Sequence, residues 1–221
     1  MAVSIILTDA SLCVQREKNG VAYLMDADRY EQNLVTARQA NKRAKSENSK
    51  ENYRSDILHQ CLLSLLDSPL NKAKKLSIFL VTNDKKVVKV SSLFRIPRTW
   101  KLFSKVMTDF LTSSDGCLLA EDAEEPLLEL LEPPLSRHLN ETSRKILLTP
   151  DGNPVELRKF VSSTQHEKLD FFIGASSLEN ATATSLEIPF DYSISISNFI
   201  LTASVCCSRL THELELAFNV Y

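Results

Sequence analysis

Two aspartates, Asp56 and Asp67, stand eleven residues apart in a stretch that reads as one helix. Eleven residues make about three helical turns, so both carboxylates lie on nearly the same face. His59 falls near that stripe. A carboxylate within reach can accept or orient a proton, which makes the stripe a candidate for acid–base work. Helix capping is the rival explanation: Asp56 sits in a first turn, where the dipole favours negative charge, and Asp67 opens an Asp-Ser-Pro stop. Downstream, Arg95 and Arg98 bracket Ile96-Pro97. Proline fixes the backbone there and so holds two guanidiniums in a defined relation. Guanidinium forks suit phosphate oxygens. Lys72, Lys74, Lys75 and Lys101 add positive charge close by. Trp100 could stack on a base or join the core.

The charge around these residues is lopsided. Residues 38–105 hold 16 Lys+Arg against 5 Asp+Glu, a local net of +11, while the rest of the chain carries −13 and the whole only −2. A basic segment with a few acids inside it is the pattern of a protein that grips a polyanion and acts at one point along it. Several other classes are disfavoured. With four glycines, neither a Gly-x-Gly-x-x-Gly nor a Walker loop can be written. Five cysteines without a Cys-x-x-Cys pair favour neither a disulfide framework nor a zinc site, and a reducing compartment fits them. The other three histidines, His138, His166 and His212, show no partner pattern. No apolar run reaches the ~18–20 residues of a membrane span. The short apolar start, residues 2–7, reads as a first strand and not as a signal peptide.

The elements that must position the candidates follow from periodicity. Strands are expected over 3–8, 21–25, 144–148, 169–173 and 188–196, where β-branched and apolar residues dominate. Residues 76–81 and 86–90 flank Asn83-Asp84 and read as a hairpin. Helices are expected over 29–44, 55–67 with Ser55 as N-cap, 99–111 capped by Thr99, 127–131, 155–161 and 201–218. Residues 41–54 are polar without apolar periodicity and read as a linker or a frayed helix end. Strands alternating with helices predict an α/β protein with a largely parallel sheet. The 221 residues fit a single domain, 1–221, with a hairpin-containing insertion near 70–98.

The run Arg54-x-Asp56-Ile57-x-His59-Gln60-Cys61-Leu62-Leu63-x-Leu65-Leu66-Asp67-Ser68-Pro69-Leu70-Asn71-Lys72-Ala73, followed by Arg95-Ile96-Pro97-Arg98-Thr99, resembles the N1-specific pseudouridine methyltransferases of small-subunit ribosomal RNA. Weaker similarity extends to Ala10-Ser11-Leu12, Leu127-Leu128 and Ile196-Ser197-Asn198-Phe199-Ile200-Leu201. The resemblance implies a SPOUT-type α/β fold, a mostly parallel sheet flanked by helices with a C-terminal trefoil knot. It implies S-adenosylmethionine as cofactor, a homodimer, pre-ribosomal assembly proteins as partners, and the nucleolus (or the cytoplasm, if the source has no nucleus).

Residue by residue, the resemblance places Arg54, Arg95 and Arg98 on RNA, with Lys72 and Lys101 beside them. It places Asp56 and Asp67 near the target base, one of them as base or orienting acceptor for N1. Gly174 and Ala175 match a first cofactor loop, Ile196, Ser197, Asn198, Phe199, Ile200 and Leu201 a second, and Thr149 a third contact. The family's second glycine after Gly-Ala is missing from Ser176-Ser177-Leu178-Glu179, its Asn-Tyr-Pro-Leu reads Asn198-Phe199-Ile200-Leu201, and an arginine beyond the basic turn is Leu102. The RNA-gripping half is thus kept better than the cofactor half. A second reading follows, an RNA-binding assembly factor of the same fold with weakened or lost methyl transfer.

Overall fold

Strand β1 (Val3–Ala10) is apolar on both faces, and such a strand must be covered on both. It lies inside an eight-stranded sheet. The computed structural model describes residues 3–39, 53–120, 125–164, 167–177, 186 and 188–221. Most of the expected linker, and the end of the helix expected to reach residue 44, fall outside these.

β4 (Leu76–Thr82) and β9 (Leu169–Gly174) flank β1 in parallel, and β8 (Arg144–Pro154) and β10 (Tyr192–Ser195) extend the parallel part. β5 (Val87–Val90), β7 (Leu128–Leu131) and β6 (Cys117–Leu118) continue it antiparallel on the other side. Alternation divides the core between the two faces. Ile5 and Leu7 join one cluster with Leu58, Leu62, Phe103 and Leu210. Ile6, Phe79 and Phe172 join a second with Leu135 and Leu139. Helices α2 (Ser55–Leu66) and α6 (Ala203–Phe218) pack on each other over the first face. Cys61 and Cys207 are buried at that contact, and all five cysteines are free thiols. The remaining helices are α1 (Ala27–Gln39), α3 (Pro69–Lys72), α4 (Trp100–Thr112) and α5 (Leu157–Ser163). No described helix is long and apolar enough to cross a membrane.

Several expectations are corrected. Within the helix expected over 127–131, Leu128–Leu131 form strand β7: a five-residue, mostly apolar run is too short for periodicity to decide, and the open edge of β5 does. The first strand of the 76–90 hairpin pairs with β1 at the centre of the sheet. Ser55 is the first helical residue and not the cap; its Oγ donates to the Met25 carbonyl at 3.2 Å, and Arg54 takes the N-cap position. The strand expected over 188–196 narrows to Tyr192–Ser195, because Pro189 interrupts it and Ile188 and Phe190 pack on the second core. The short hairpin strands β2 (Val14–Arg16) and β3 (Ala22–Leu24) pair through a turn in which Gly20 has φ +86°.

One residue of β1 is strained. Asp9 has φ 53° at the break in the β1–β4 register, and its Oδ2 is buried without a hydrogen-bond partner among the described residues. A left-handed L-residue costs roughly 1–2 kcal/mol, and a buried orphan polar atom about 1–3. The extra chain entropy of glycine costs only about 0.5–1 kcal/mol. Asp9→Gly is therefore expected to raise the unfolding free energy by about 1 kcal/mol or more, read as a higher denaturant midpoint at unchanged slope. A lower midpoint would show that the carboxylate holds something in place.

Candidate functional site

The exposed stripe of α2 runs from Asp56 through Gln60 to Asp67, just past the helix end. Each acid meets a cation. Arg54 donates from Nε and Nη2 to the two Asp56 oxygens, both at 2.8 Å. That fork holds the Asp56 carboxyl below its ordinary range, and partial burial opposes the shift without reversing it. Arg98 donates from Nη1 to Asp67 Oδ2, and Lys72 Nζ lies 3.8 Å from Asp67 Oδ1. The structure does not bring the two acids together: eleven residues of rise put them about 16 Å apart along the helix.

His59 leaves the stripe. It is buried, stacks on Phe103 with ring centroids 4.3 Å apart, and donates from Nε2 to the Pro97 carbonyl at 2.7 Å. That bond ties the basic turn to α2, so the turn and the acidic stripe share one side of the molecule. Ile96 is buried while Arg95 and Arg98 stay exposed on either side of it. Burial of Ile96 thus anchors the turn and leaves both guanidiniums in solvent. Arg95 and Lys101 have no ion-pair partner among the described residues, unlike Arg98 and Lys72. Trp100 packs against the core and donates from Nε1 to Asp26 at 3.3 Å, so it is not presented as a free platform.

A cleft of about 700 Å³ opens at the C-terminal ends of the parallel strands, beside the start of α2. Ligands of open α/β sheets collect at such ends. Its walls come from Arg54, Ile57 and Gln60, from residues 147–151 of β8, from the loop after β9, from residues 193–197, and from the segment leading into α6. Thr149, Gly174, Ile196, Ser197, Phe199, Ile200 and Leu201 all line it. Ala175 and Asn198 do not. Ala175 is fully buried and its N–H donates to the Thr8 carbonyl at 2.7 Å, which fixes the loop after β9 to β1. Ser195 Oγ donates to the Ser197 carbonyl at 2.8 Å, and Ser197 Oγ accepts from the Phe199 N–H at 3.0 Å, so local side-chain bonds shape the second loop.

Residues that sequence reasoning passed over also line the cleft: Asp151, Ser176, Ser193, Thr202 and Cys206 among them. An Asp151-Gly152 turn pair was the one available signal. Gly152 lets β8 pass hard against β10; a Cβ there would sit 2.5–2.7 Å from the Ile194 backbone. Arg54 links the cleft to the acidic stripe through Asp56, and Gln60 belongs to both the stripe and the cleft wall.

Comparison with known proteins gives a consistent picture. A family described as EMG1/NEP1 methyltransferase matches residues 5–215. The "Ribosomal RNA small subunit methyltransferase nep-1" of Caenorhabditis elegans is 36% identical over 191 residues, covering 85% of this chain and 79% of that protein. The corresponding NEP1 of Candida albicans is 34% identical over 76% of this chain, and mra1 of Schizosaccharomyces pombe 36% over 73%. This chain spans 62% and 44% of the length of those two fungal relatives. Among solved structures, Archaeoglobus fulgidus Nep1 bound to S-adenosylhomocysteine superposes with TM-score 0.73 at 22% identity, covering 99% of this chain and all of that one. At that identity the likeness establishes the fold, a mostly parallel α/β sheet flanked by helices.

Proposed function

Because the chain belongs to the EMG1/NEP1 methyltransferase family, we propose that it methylates N1 of a pseudouridine in small-subunit ribosomal RNA during subunit assembly, with S-adenosylmethionine as donor. One observation carries this reading. The cleft at the strand ends and the basic turn meet on one helix, α2, which lines the cleft with Arg54, Ile57 and Gln60 and holds the turn through His59 and Asp67. The cleft is open, about 700 Å³, and its lining of glycine, hydroxyl and apolar side chains fits a nucleoside carrying an aminoacyl tail. That openness favours an active enzyme over the assembly factor without methyl transfer.

Thr149, Gly174, Ile196, Ser197, Phe199, Ile200 and Leu201 would hold the donor, while Ala175 acts from behind by anchoring its loop. When bound, the sulfonium donor supplies an electrophilic methyl group. Pseudouridine joins its sugar through carbon and leaves N1 with a hydrogen. Of the two acids of the α2 stripe, Asp56 is the one placed to accept that hydrogen, since its partner Arg54 lines the cleft and Asp67 lies at the far end of the helix. While paired with Arg54 its carboxylate is a weak base, suited to orienting the N1–H. Transfer of Arg54 to an RNA phosphate would free the carboxylate and strengthen it as a proton acceptor. Asp67 serves at a distance, by steadying Arg98. Arg95, Arg98, Lys72 and Lys101 clamp phosphates, and the target base is turned out of its loop toward the cleft.

The same reading extends to a homodimer that covers Phe199 and Ile200, which are 80% and 79% exposed in the single chain. It includes a knotted C-terminal segment, pre-ribosomal assembly proteins as neighbours and a nucleolar location. Mass spectrometry of small-subunit RNA after depletion of the protein tests it in cells. Loss of one methyl group from a pseudouridine is expected; an unaltered modification profile would contradict the reading.

A further inference from the structure

The side chains that line the cleft include two ionised groups, Arg54 and Asp151, and they are not equivalent. Arg54 is forked onto Asp56 at 2.8 Å and so brings its own counter-charge. Asp151 is exposed and has no ion pair and no hydrogen-bond partner among the described residues. The other titratable lining group, Cys206, is pushed up to about 11, chiefly by burial, and is a neutral thiol near pH 7. Among the described residues, the cleft therefore carries one uncompensated negative charge. It sits on a rigid support: the next residue, Gly152, lies hard against the Ile194 backbone.

On the reading that this cleft holds the methyl donor, we propose that Asp151 is a specificity-determining residue that makes the cleft prefer the cationic sulfonium donor over its neutral thioether product. The two molecules share adenosine, ammonium and carboxylate groups. They differ by one methyl group and one positive charge at sulfur, and methyl transfer removes that charge. A carboxylate on a held stretch of backbone in the same cleft attracts the donor and loses that attraction once transfer is complete. The device loads substrate and releases product without a moving part. Because Asp151 is exposed, solvent and salt screen the effect, so it acts as a moderate bias.

Calorimetric titration of the full chain with S-adenosylmethionine and, separately, S-adenosylhomocysteine tests this without any RNA or turnover. The parent chain is expected to bind the sulfonium form more tightly. Asp151→Asn should weaken the sulfonium form roughly fivefold and leave the thioether form within about twofold. Asp151→Lys should reverse the preference, and Asp151→Glu should retain it. Raising salt toward 1 M should narrow the parent's preference and leave that of Asp151→Asn unchanged. Equal weakening of both ligands by Asp151→Asn would place the carboxylate on their shared groups and overturn the proposal, as would no change in either. Failure of the parent chain to bind either ligand would overturn the donor-site reading itself, and this inference with it.

Discussion

Gly152→Ala is expected to lower the melting temperature by about 6–12 °C and to weaken S-adenosylhomocysteine binding at least tenfold. The new Cβ would sit 2.5–2.7 Å from C, N and Cα of Ile194, where no side chain can rotate away. Overpacking commonly costs about 1–3 kcal/mol, and a clash between two paired backbones belongs at the upper end or beyond. For a chain of this size each kcal/mol moves the midpoint by about 2–4 °C. The effect on binding follows from position. β8 and β10 both contribute walls of the cleft on either side of this crossing, and separating them displaces Thr149 and Ile196 together. Thermal unfolding and calorimetry read the two effects independently. A variant with unchanged melting and unchanged affinity would show that the strands do not meet here.

The second large effect concerns the basic turn. Arg95→Ala combined with Arg98→Ala is expected to weaken binding to small-subunit RNA fragments by about 10- to 100-fold, and to flatten the slope of log affinity against log salt by about 1.4. The single variants should differ. Arg98 must leave Asp67 to reach a phosphate, whereas Arg95 has no such partner among the described residues. Arg95→Ala should therefore cost more affinity than Arg98→Ala. Asp67→Asn should act on RNA binding through Arg98, not on the methyl-transfer step. Filter binding across a salt series measures all four. Equal affinities and parallel salt slopes would remove the turn from the RNA surface.

The parts legible in the sequence were those whose apolar pattern was long and consistent. β1, β9, α2 and α6 each bury a continuous face, so periodicity alone located them. β2, β6 and β7 have two to four residues apiece, and their existence is decided by the partner strand and not by their own composition. Charge was legible as a block but not as pairs. The excess of Lys and Arg in 38–105 was plain, yet nothing in it told that Arg54 and Arg98 would each take one acid of the α2 stripe. His59 shows the same limit: its spacing put it near the acids, and packing against Phe103 turned it toward Pro97. Asp151 was hidden because the cleft joins segments 54–60, 147–151, 173–177 and 193–206, and which of their side chains share a space depends on the fold.

The proposed reaction is methyl transfer to one ring nitrogen. It is tested most directly by incubating the purified chain with S-adenosylmethionine and two synthetic RNA hairpins of the small-subunit sequence, one with pseudouridine and one with uridine at the target. Mass spectrometry of the digested nucleosides should show one added methyl group, on N1 of pseudouridine, in the first hairpin only. Methylation of neither hairpin, or of both alike, would contradict the account.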